Sequence, residues 1–217
     1  MADAPTRPDT SDMAAVHRVF RTSLAAAPAY VSGAAGDDER RSLIANYYAN
    51  VLAFLEAHHD GEEAILFTRL SERAPNELAA VEKAKAQHEA VHASLASAKD
   101  GVGLWESKGD GAADDLVKTL QELDAVLIPH LDEEEAVIVP LAAEHLSAEE
   151  WGMLPAHGLG HFTGDKVWLI LGLIRENMTP DQRDQMLVAM PPPARQMWEG
   201  MGEAAFNELI GRVRQPT

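Results

Sequence analysis

The sequence predicts an all-α protein, an antiparallel up-and-down four-helix bundle followed by additional C-terminal helices. Apolar residues recur at helical spacing through most of the chain, and no segment shows the alternation that is typical of a half-buried strand. Pro- and Gly-rich breaks divide the first two thirds of the chain into four long periodic segments. Short connections between long helices favour antiparallel neighbours, which is the geometry of an up-and-down bundle.

The first two thirds of the chain read as a tail followed by the bundle. Residues 1–11 are rich in Pro, Thr and Asp and predict a flexible tail. The bundle is expected over 12–146. Its first helix ends at a break over 28–38, and a Gly-rich loop is expected over 100–111. The remaining three helices are expected over 39–70, 77–98 and 112–145.

The last third, 147–217, predicts shorter helices that pack on the bundle. Ser147 and Glu150 have the spacing of a capping box, which indicates a helix start. An apolar helix is expected over 166–175. Thr179 followed by Pro180 predicts the start of another helix. Three consecutive prolines at 191–193 precede a last helix over 194–214.

Composition and charge exclude several classes of protein. The chain of 217 residues has no cysteine, which excludes disulfide frameworks, thiolate zinc sites and iron–sulfur clusters. Its formal charge of −17 repels phosphate backbones and anionic membranes, so we expect no nucleic-acid or membrane partner. The longest apolar run, Val167 to Leu171, is far shorter than the ~20 residues of a membrane span, and no signal-peptide core follows Met1. We expect a cytoplasmic monomer or small homo-oligomer.

Two histidines lie in closely matched contexts. His58 is followed by Glu62, Glu63, Ala, Ile and Leu, and His130 is followed by Glu134, Glu135, Ala, Val and Ile. Residues four apart share one face of a helix, so each His–Glu pair can present an imidazole and a carboxylate to one point.

The turns add a second coincidence. Gly36, Pro75 and Gly109 lie close to halfway along the chain between successive candidate ligands, and residues equidistant from a turn share one level of an antiparallel bundle. The predicted metal ligands are therefore His17, His58, Glu62, His88, His130 and Glu134.

Other histidines leave alternatives open. His59 with Glu63 also satisfies the His–Glu spacing, but the alignment of the two motifs favours His58, which leaves His59 and Glu63 to support a ligand or to face solvent. His92 follows His88 by four residues and is a possible further ligand. His145, His157 and His161 are read as non-ligands, and Glu133 and Glu135 as part of a solvated face.

The ligand chemistry favours iron. Four imidazoles and two carboxylates suit two first-row transition ions with the carboxylates bridging, and this mixture without thiolate favours iron. Calcium or magnesium needs more oxygen ligands.

At these residues the chain resembles the bacterial hemerythrin-like (HHE cation-binding) proteins with the pattern H…HxxxE…H…HxxxE. The match consists of His17, His58 with Glu62, His88, and His130 with Glu134, over 12–146. The resemblance implies two non-haem iron ions in a four-helix bundle, bridged by Glu62, Glu134 and an oxo or hydroxo group. Oxygen-carrying members of the wider family have a different fourth-helix motif and a shorter chain, so reversible O₂ carriage does not follow.

Three functions fit this pattern. The first is a di-iron protein that binds and reacts with O₂, NO or peroxide, for sensing, scavenging or storage. The second is a di-iron enzyme that disproportionates peroxide or oxidises NO. The third is a metal-free helical interaction protein, which the pattern of six candidate ligands disfavours. The sequence does not separate the first two, because both need the same ligands.

Overall fold

The computed structural model of the chain describes residues 7–215, and every regular element among them is helical, so the all-α prediction is confirmed. The first six residues of the predicted N-terminal tail lie outside the described residues. The helices of the first two thirds are α1 (Met13–Ala25), α2 (Ala27–Ser32), α3 (Asp38–Gly61), α4 (Thr68–Arg73), α5 (Leu78–Lys108), α6 (Ala113–Glu133) and α7 (Val139–His145). The helices of the last third are α8 (Ala148–Trp151), α9 (Met153–Gly160), α10 (Asp165–Glu176), α11 (Pro180–Ala189), α12 (Pro192–Met197) and α13 (Glu203–Arg214).

Two of the long helices are interrupted by π-helical turns, within which the backbone stays helical. A π turn over Glu62–Phe67 joins α3 to α4, and a second π turn over Glu134–Ile138 joins α6 to α7. The predicted helices over 39–70 and 112–145 therefore correspond to two composite helices. Helix α5 packs against α3 and α6, and α1 packs against α3 and α6, so the long helices enclose a common interior.

The predicted loop over 100–111 is wrong for most of its length. Helix α5 continues through Gly101 and Gly103 to Lys108, and the chain turns only at Gly109, whose φ of 75° favours glycine. At Gly101 the missing side chain serves helix packing, because an added Cβ would lie 2.8 Å from Thr119 Oγ1 of α6. Trp105, within the predicted loop, is fully buried.

The predicted break over 28–38 is also partly helical. Pro28 lies in the first turn of the short helix α2, a position where proline costs no backbone hydrogen bond. The true turn lies between Ser32 and Asp38 and includes Gly36 with a φ of 74°. The Asp37 side chain then caps α3 by accepting a hydrogen bond from the Arg40 backbone N–H.

The last third begins its helices at the predicted caps. Ser147 and Glu150 form a complete capping box at α8, and Thr179 and Gln182 form another at α11. The glycine-rich segment that follows α8 is helical in its first part, as α9. The predicted last helix is divided by a third π turn, over Trp198–Gly202.

The C-terminal helices share one apolar core with the long helices. Phe54 of α3 contacts Phe162, with ring centroids 6.2 Å apart, and both belong to the cluster that also contains the buried face of α10. Helices α10 and α13 approach closely at Gly172, where an added Cβ would lie 2.1 Å from Phe206 Cγ. Within residues 7–215, each helix is too short or too polar to cross a bilayer.

Candidate metal centre

The two π turns begin at the two glutamates of the matched motifs. Glu62 and Glu134 are each the first residue of a π turn, one turn after His58 and His130 respectively. A π turn is rare and occurs most often at functional sites, because the extra residue re-aims the side chains around it. Both glutamates point into the interior and are at most 1% exposed.

Seven side chains meet in the interior, in two groups. The ligand atoms of each group lie within 4.8 Å of one another. The first group consists of His59, His88 and His130, and the second of His17, His58, Glu62 and Glu134. All six predicted ligands are therefore brought together, and one further histidine joins them.

The polar atoms at the centre of this cluster have no hydrogen-bond partner in the protein. The unpartnered buried atoms are Nε2 of His17, His58, His88 and His130, both ring nitrogens of His59, and both carboxylate oxygens of Glu62 and Glu134. A buried polar atom without a partner costs about 1–3 kcal/mol. So many at one place indicate a group that they bind in common, and a metal ion satisfies imidazole nitrogens and carboxylate oxygens together.

The two carboxylates lie between the two groups of histidines. Glu62 Oε1 is 3.2 Å from His58 Nε2, whereas Glu62 Oε2 is 3.6 Å from His88 Nε2. Glu134 Oε2 is 3.5 Å from His17 Nε2 and 3.6 Å from His130 Nε2. Each carboxylate therefore faces imidazoles of both groups.

Burial sets the charge state of the histidines. Burial lowers the pKa of His58 and His59 well below the usual histidine value, with a further contribution from neighbouring histidines. Burial likewise lowers the pKa of His88 and His130 to about 3. These rings are neutral near pH 7, and neutral imidazole is the form that binds metals.

Burial also acts on the carboxyl groups. It raises the pKa of Glu62 well above its usual value, and the nearby Glu134 carboxyl raises it further. Burial raises the pKa of Glu134 too, against an opposing effect of His17. Two carboxylates so close together and so deeply buried need a cation between them to remain ionised.

Acceptors outside the cluster orient three of the rings. His17 Nδ1 lies 2.8 Å from Glu135 Oε1, and His88 Nδ1 lies 3.0 Å from Glu63 Oε1. His130 Nδ1 lies 3.3 Å from Gln87 Oε1. Oxygen acceptors place the ring proton on Nδ1, so the Nε2 lone pair points inward, as metal-ligating histidines require.

His59 is the residue that sequence reasoning left out of the ligand set. It is fully buried, so the solvent-facing alternative is wrong, and it lies beside His88 and His130. The adjacent pair His58–His59 is the sequence feature that could have indicated two ligands on this helix. Adjacent helical residues point about 100° apart, so His58 and His59 can reach two metal positions on either side of Glu62.

The outer glutamates contact two histidines of the cluster. Glu63 and Glu135 are the second glutamates of the two matched motifs, and each accepts from a histidine of another helix. Glu135 additionally lies 3.3 Å from Arg21 Nη2. Its side chain is 37% exposed, so it lies on the solvated face as predicted, but it also contacts His17, and the recurrence of this second glutamate in both motifs is the signal for that contact.

The other histidines lie outside the two groups. His92 is about one-third exposed, and its Nε2 is 3.7 Å from Glu63 Oε1. His157 covers Gly61, where an added Cβ would lie 3.1 Å from His157 Cδ2. His161 packs on His157, and the His145 backbone carbonyl accepts from Arg73.

Aromatic and aliphatic side chains surround the cluster. Phe20 packs on the His58 ring at a centroid distance of 5.4 Å, and Phe67 packs on the His88 ring at 4.9 Å. Leu55, Leu127 and further aliphatic residues around the cluster are fully buried. The site is therefore enclosed in an apolar shell that limits access of water.

One comparison with known proteins matches this part of the chain. The family model described as hemerythrin HHE cation binding domain matches residues 9–142, a range that contains all seven residues of the cluster. No curated protein and no solved structure matches the chain.

Proposed function

Because the chain belongs to the hemerythrin HHE cation-binding family, we propose that its buried cluster holds two non-haem iron ions, with an oxo or hydroxo bridge, and binds O₂, NO or peroxide. The observation that carries the proposal is the set of buried, unpartnered ligand atoms in two adjacent groups. In a metal-free interaction protein all these atoms would lack a partner, which would destabilise the fold without any functional gain.

The distances support an assignment of the ligands to two positions. His59, His88 and His130 hold one ion, and His17 and His58 hold the other. Glu62 presents one oxygen to each group of histidines, so it would bridge ions held at the two positions, and Glu134 lies equally near both groups. This set contains the six ligands predicted from the sequence and adds His59.

The donor set favours iron. Imidazole and carboxylate without thiolate suit iron, whereas calcium and magnesium need more oxygen ligands. Two adjacent ferrous ions can supply two electrons to O₂ or peroxide and can also bind NO.

Residues around the cluster fix the orientation of the ligands and the access of water to the metal ions. Glu63, Glu135 and Gln87 fix three of the imidazole rings, and the apolar shell around Phe20 and Phe67 keeps bulk water away. A histidine-rich set is more neutral than a carboxylate-rich one and stabilises highly oxidised iron less well. Small-molecule binding or peroxide chemistry is therefore favoured over oxidation of C–H bonds. We retain the cytoplasmic location as part of the proposal.

Metal analysis tests the proposal directly. Elemental analysis after iron-replete expression should give about two irons per chain, with the near-ultraviolet absorption of an oxo-bridged ferric pair. No metal, or a single zinc, would overturn it. Steady-state consumption of peroxide or NO by the reduced protein would assign the enzyme function. A stable complex with O₂ or NO without turnover would assign the binding function.

A further inference from the structure

A cavity of about 630 Å³ lies between the long helices and the C-terminal helices. Its wall combines Met13, Val16 and Phe54 with residues of 151–191, among them Trp151, Leu159 and Met186. Most of the wall therefore comes from residues beyond the range that the family model matches. A molecule of water occupies ~30 Å³ in the liquid, so a diatomic ligand would fill only a small part of this cavity. Pockets of about 300–1,000 Å³ hold organic ligands of drug size.

The cavity meets the metal-binding cluster at one residue. His58 lies on the cavity wall, and its side chain is 9% exposed, whereas the other six residues of the cluster are at most 1% exposed. Phe54 lies on the same wall and packs against His58 with ring centroids 6.5 Å apart. A molecule in the cavity can therefore contact the outer face of the His58 ring.

The charges on the wall exclude an anionic occupant. Asp9 and Asp12 line the cavity, and none of the lining residues that the structure describes is a lysine or an arginine. Asp9 accepts a hydrogen bond from the Ser11 backbone N–H, and Asp12 accepts from Trp151 Nε1. Both carboxyl groups are therefore held in place, and a carboxylate, sulfonate or phosphate entering the cavity would meet them without a cation to bind.

We propose that this cavity binds an uncharged organic molecule with an apolar body, which lies against His58 at the edge of the metal-binding cluster. The volume and the apolar wall favour a ligand with an apolar body of drug size, and the two aspartates disfavour a negative charge on it. The position of the ligand beside a di-iron centre rests on the proposed function. The binding of such a ligand in the cavity is independent of the proposed function.

Two dyes with the same aromatic body test the charge selectivity. N-phenyl-1-naphthylamine is uncharged, and 1-anilinonaphthalene-8-sulfonate carries an additional sulfonate. Fluorescence titration of the metal-free and the iron-loaded protein should show the uncharged dye binding at least about tenfold more tightly than the sulfonate. Equal or tighter binding of the sulfonate, or no binding of either dye, would overturn the proposal.

Filling the cavity locates the bound dye. Ala156 and Ala189 are exposed alanines that line the cavity on different helices, and Ala204 is an exposed alanine of α13 that does not line it. Ala156→Phe and Ala189→Phe should each weaken binding of the uncharged dye by about tenfold, whereas Ala204→Phe should leave it unchanged. Wild-type affinity in both cavity variants would place the dye elsewhere and contradict the proposal.

The contact with His58 needs its own measurement. Nuclear magnetic resonance of the metal-free protein follows the ring C–H signals of His58, assigned with His58→Ala, during titration with the uncharged dye. Ring-current shifts at His58 but not at His92, which lies outside the cavity, are expected. Unshifted His58 signals at saturation would show that the ligand does not reach the cluster. A protein that binds the dye but takes up no iron after iron-replete expression would refute only the proposed function, and one that takes up iron but binds no dye would refute only this inference.

Discussion

The imidazole ring of His59 stacks on that of His88, with ring centroids 4.2 Å apart and an angle of 24° between the planes. His130 meets both rings edge-on, at 5.2 Å from His59 and 4.8 Å from His88. Burial lowers the pKa of all three rings; His88 lowers the pKa of His59 and His130 further, and His92 lowers that of His88, because adjacent positive rings would repel. Three neutral imidazoles in contact, with unpartnered ring nitrogens, could together hold one metal ion.

Removing His59 should therefore remove one metal ion while leaving most of the other in place. In His59→Ala we expect about one iron per chain instead of about two, because His17, His58, Glu62 and Glu134 still form the second position. Elemental analysis of the purified variant measures this, with circular dichroism to confirm that it is folded. His145→Ala is the control, since His145 lies outside both groups, and it should keep the wild-type iron content. An unchanged iron content in His59→Ala would restore the six-residue ligand set.

The sequence was sufficient to predict six of the seven residues of the cluster but not His59. The spacing of His58 from Glu62 and of His130 from Glu134 is local, and helical periodicity reports it directly. The inclusion of His59 in the cluster depends on which side chains of other helices lie beside it. Helix α5 and helix α6 supply the two rings that it contacts, and no local pattern contains that information. The π turns were missed for the same reason, because they become visible only when the backbone hydrogen bonds are known.

A second error of the sequence analysis concerns glycine. Clusters of glycine favour loops, but Gly101 and Gly103 lie within helix α5, where Gly101 allows α5 and α6 to approach. Gly172 has the same role between α10 and α13. A glycine that ends a helix and a glycine that lets two helices approach look alike until the partner helix is in place.

Gly172 provides a test of that packing. Gly172→Ala places a methyl group into the Phe206 ring and should lower the free energy of unfolding by about 1–3 kcal/mol. Gly211→Ala on α13 is the matched control, because no atom lies within 4 Å of its added Cβ. It should be neutral or stabilising by roughly 0.5–1 kcal/mol. Chemical denaturation of both variants gives the two values. Equal stability of the two variants would show that α10 and α13 are not closely packed at this point.

Glu150 ties helix α8 to helix α4 and should make stability depend on pH. Its carboxylate binds Arg73 through both oxygens, at 2.6 and 2.7 Å, and contacts Arg69 at 3.0 Å. These arginines and the Ser147 backbone N–H hold the pKa of Glu150 well below its usual value. The stabilisation is therefore complete above the unfolded-state pKa near 4.5 and is lost as pH falls below it.

The measurement compares the melting temperatures of Glu150→Gln and the wild-type protein. At pH 7 the variant should melt ~2–4 °C lower, as expected for loss of ~1 kcal/mol in a chain of this size. The difference should shrink as the pH falls below about 4.5, because Glu150 of the unfolded wild-type chain becomes protonated there while Glu150 of the folded chain stays ionised to lower pH. Glu149→Gln, at an exposed neighbour that lies outside this ion-pair network, should melt like the wild-type protein at both pH values. A difference that is independent of pH would show that the charge of Glu150 does not contribute.

Glu63 supports the metal site without belonging to either group of the cluster. It accepts from His88 Nδ1 at 3.0 Å and thereby keeps the His88 Nε2 lone pair directed inward. Removing such a support usually costs 10–100-fold in metal affinity, so Glu63→Ala should lower the affinity for the ion at the position formed by His59, His88 and His130 by about that factor. Glu63→Gln retains an oxygen acceptor and should recover part of the loss. Glu89→Ala, at an exposed residue next to His88, should change nothing.

Competition with a chelator of known affinity measures these differences at constant pH. A structural role alone would lower the thermal stability of the metal-free protein and leave the metal affinity of the folded protein unchanged. Orientation of His88 instead predicts an affinity loss that Glu63→Gln partly restores, with metal-free variants that melt alike. If Glu63→Ala binds both ions as tightly as Glu89→Ala does, the contact between Glu63 and His88 is not needed to position the ligand, and the outer glutamates act only as surface charges.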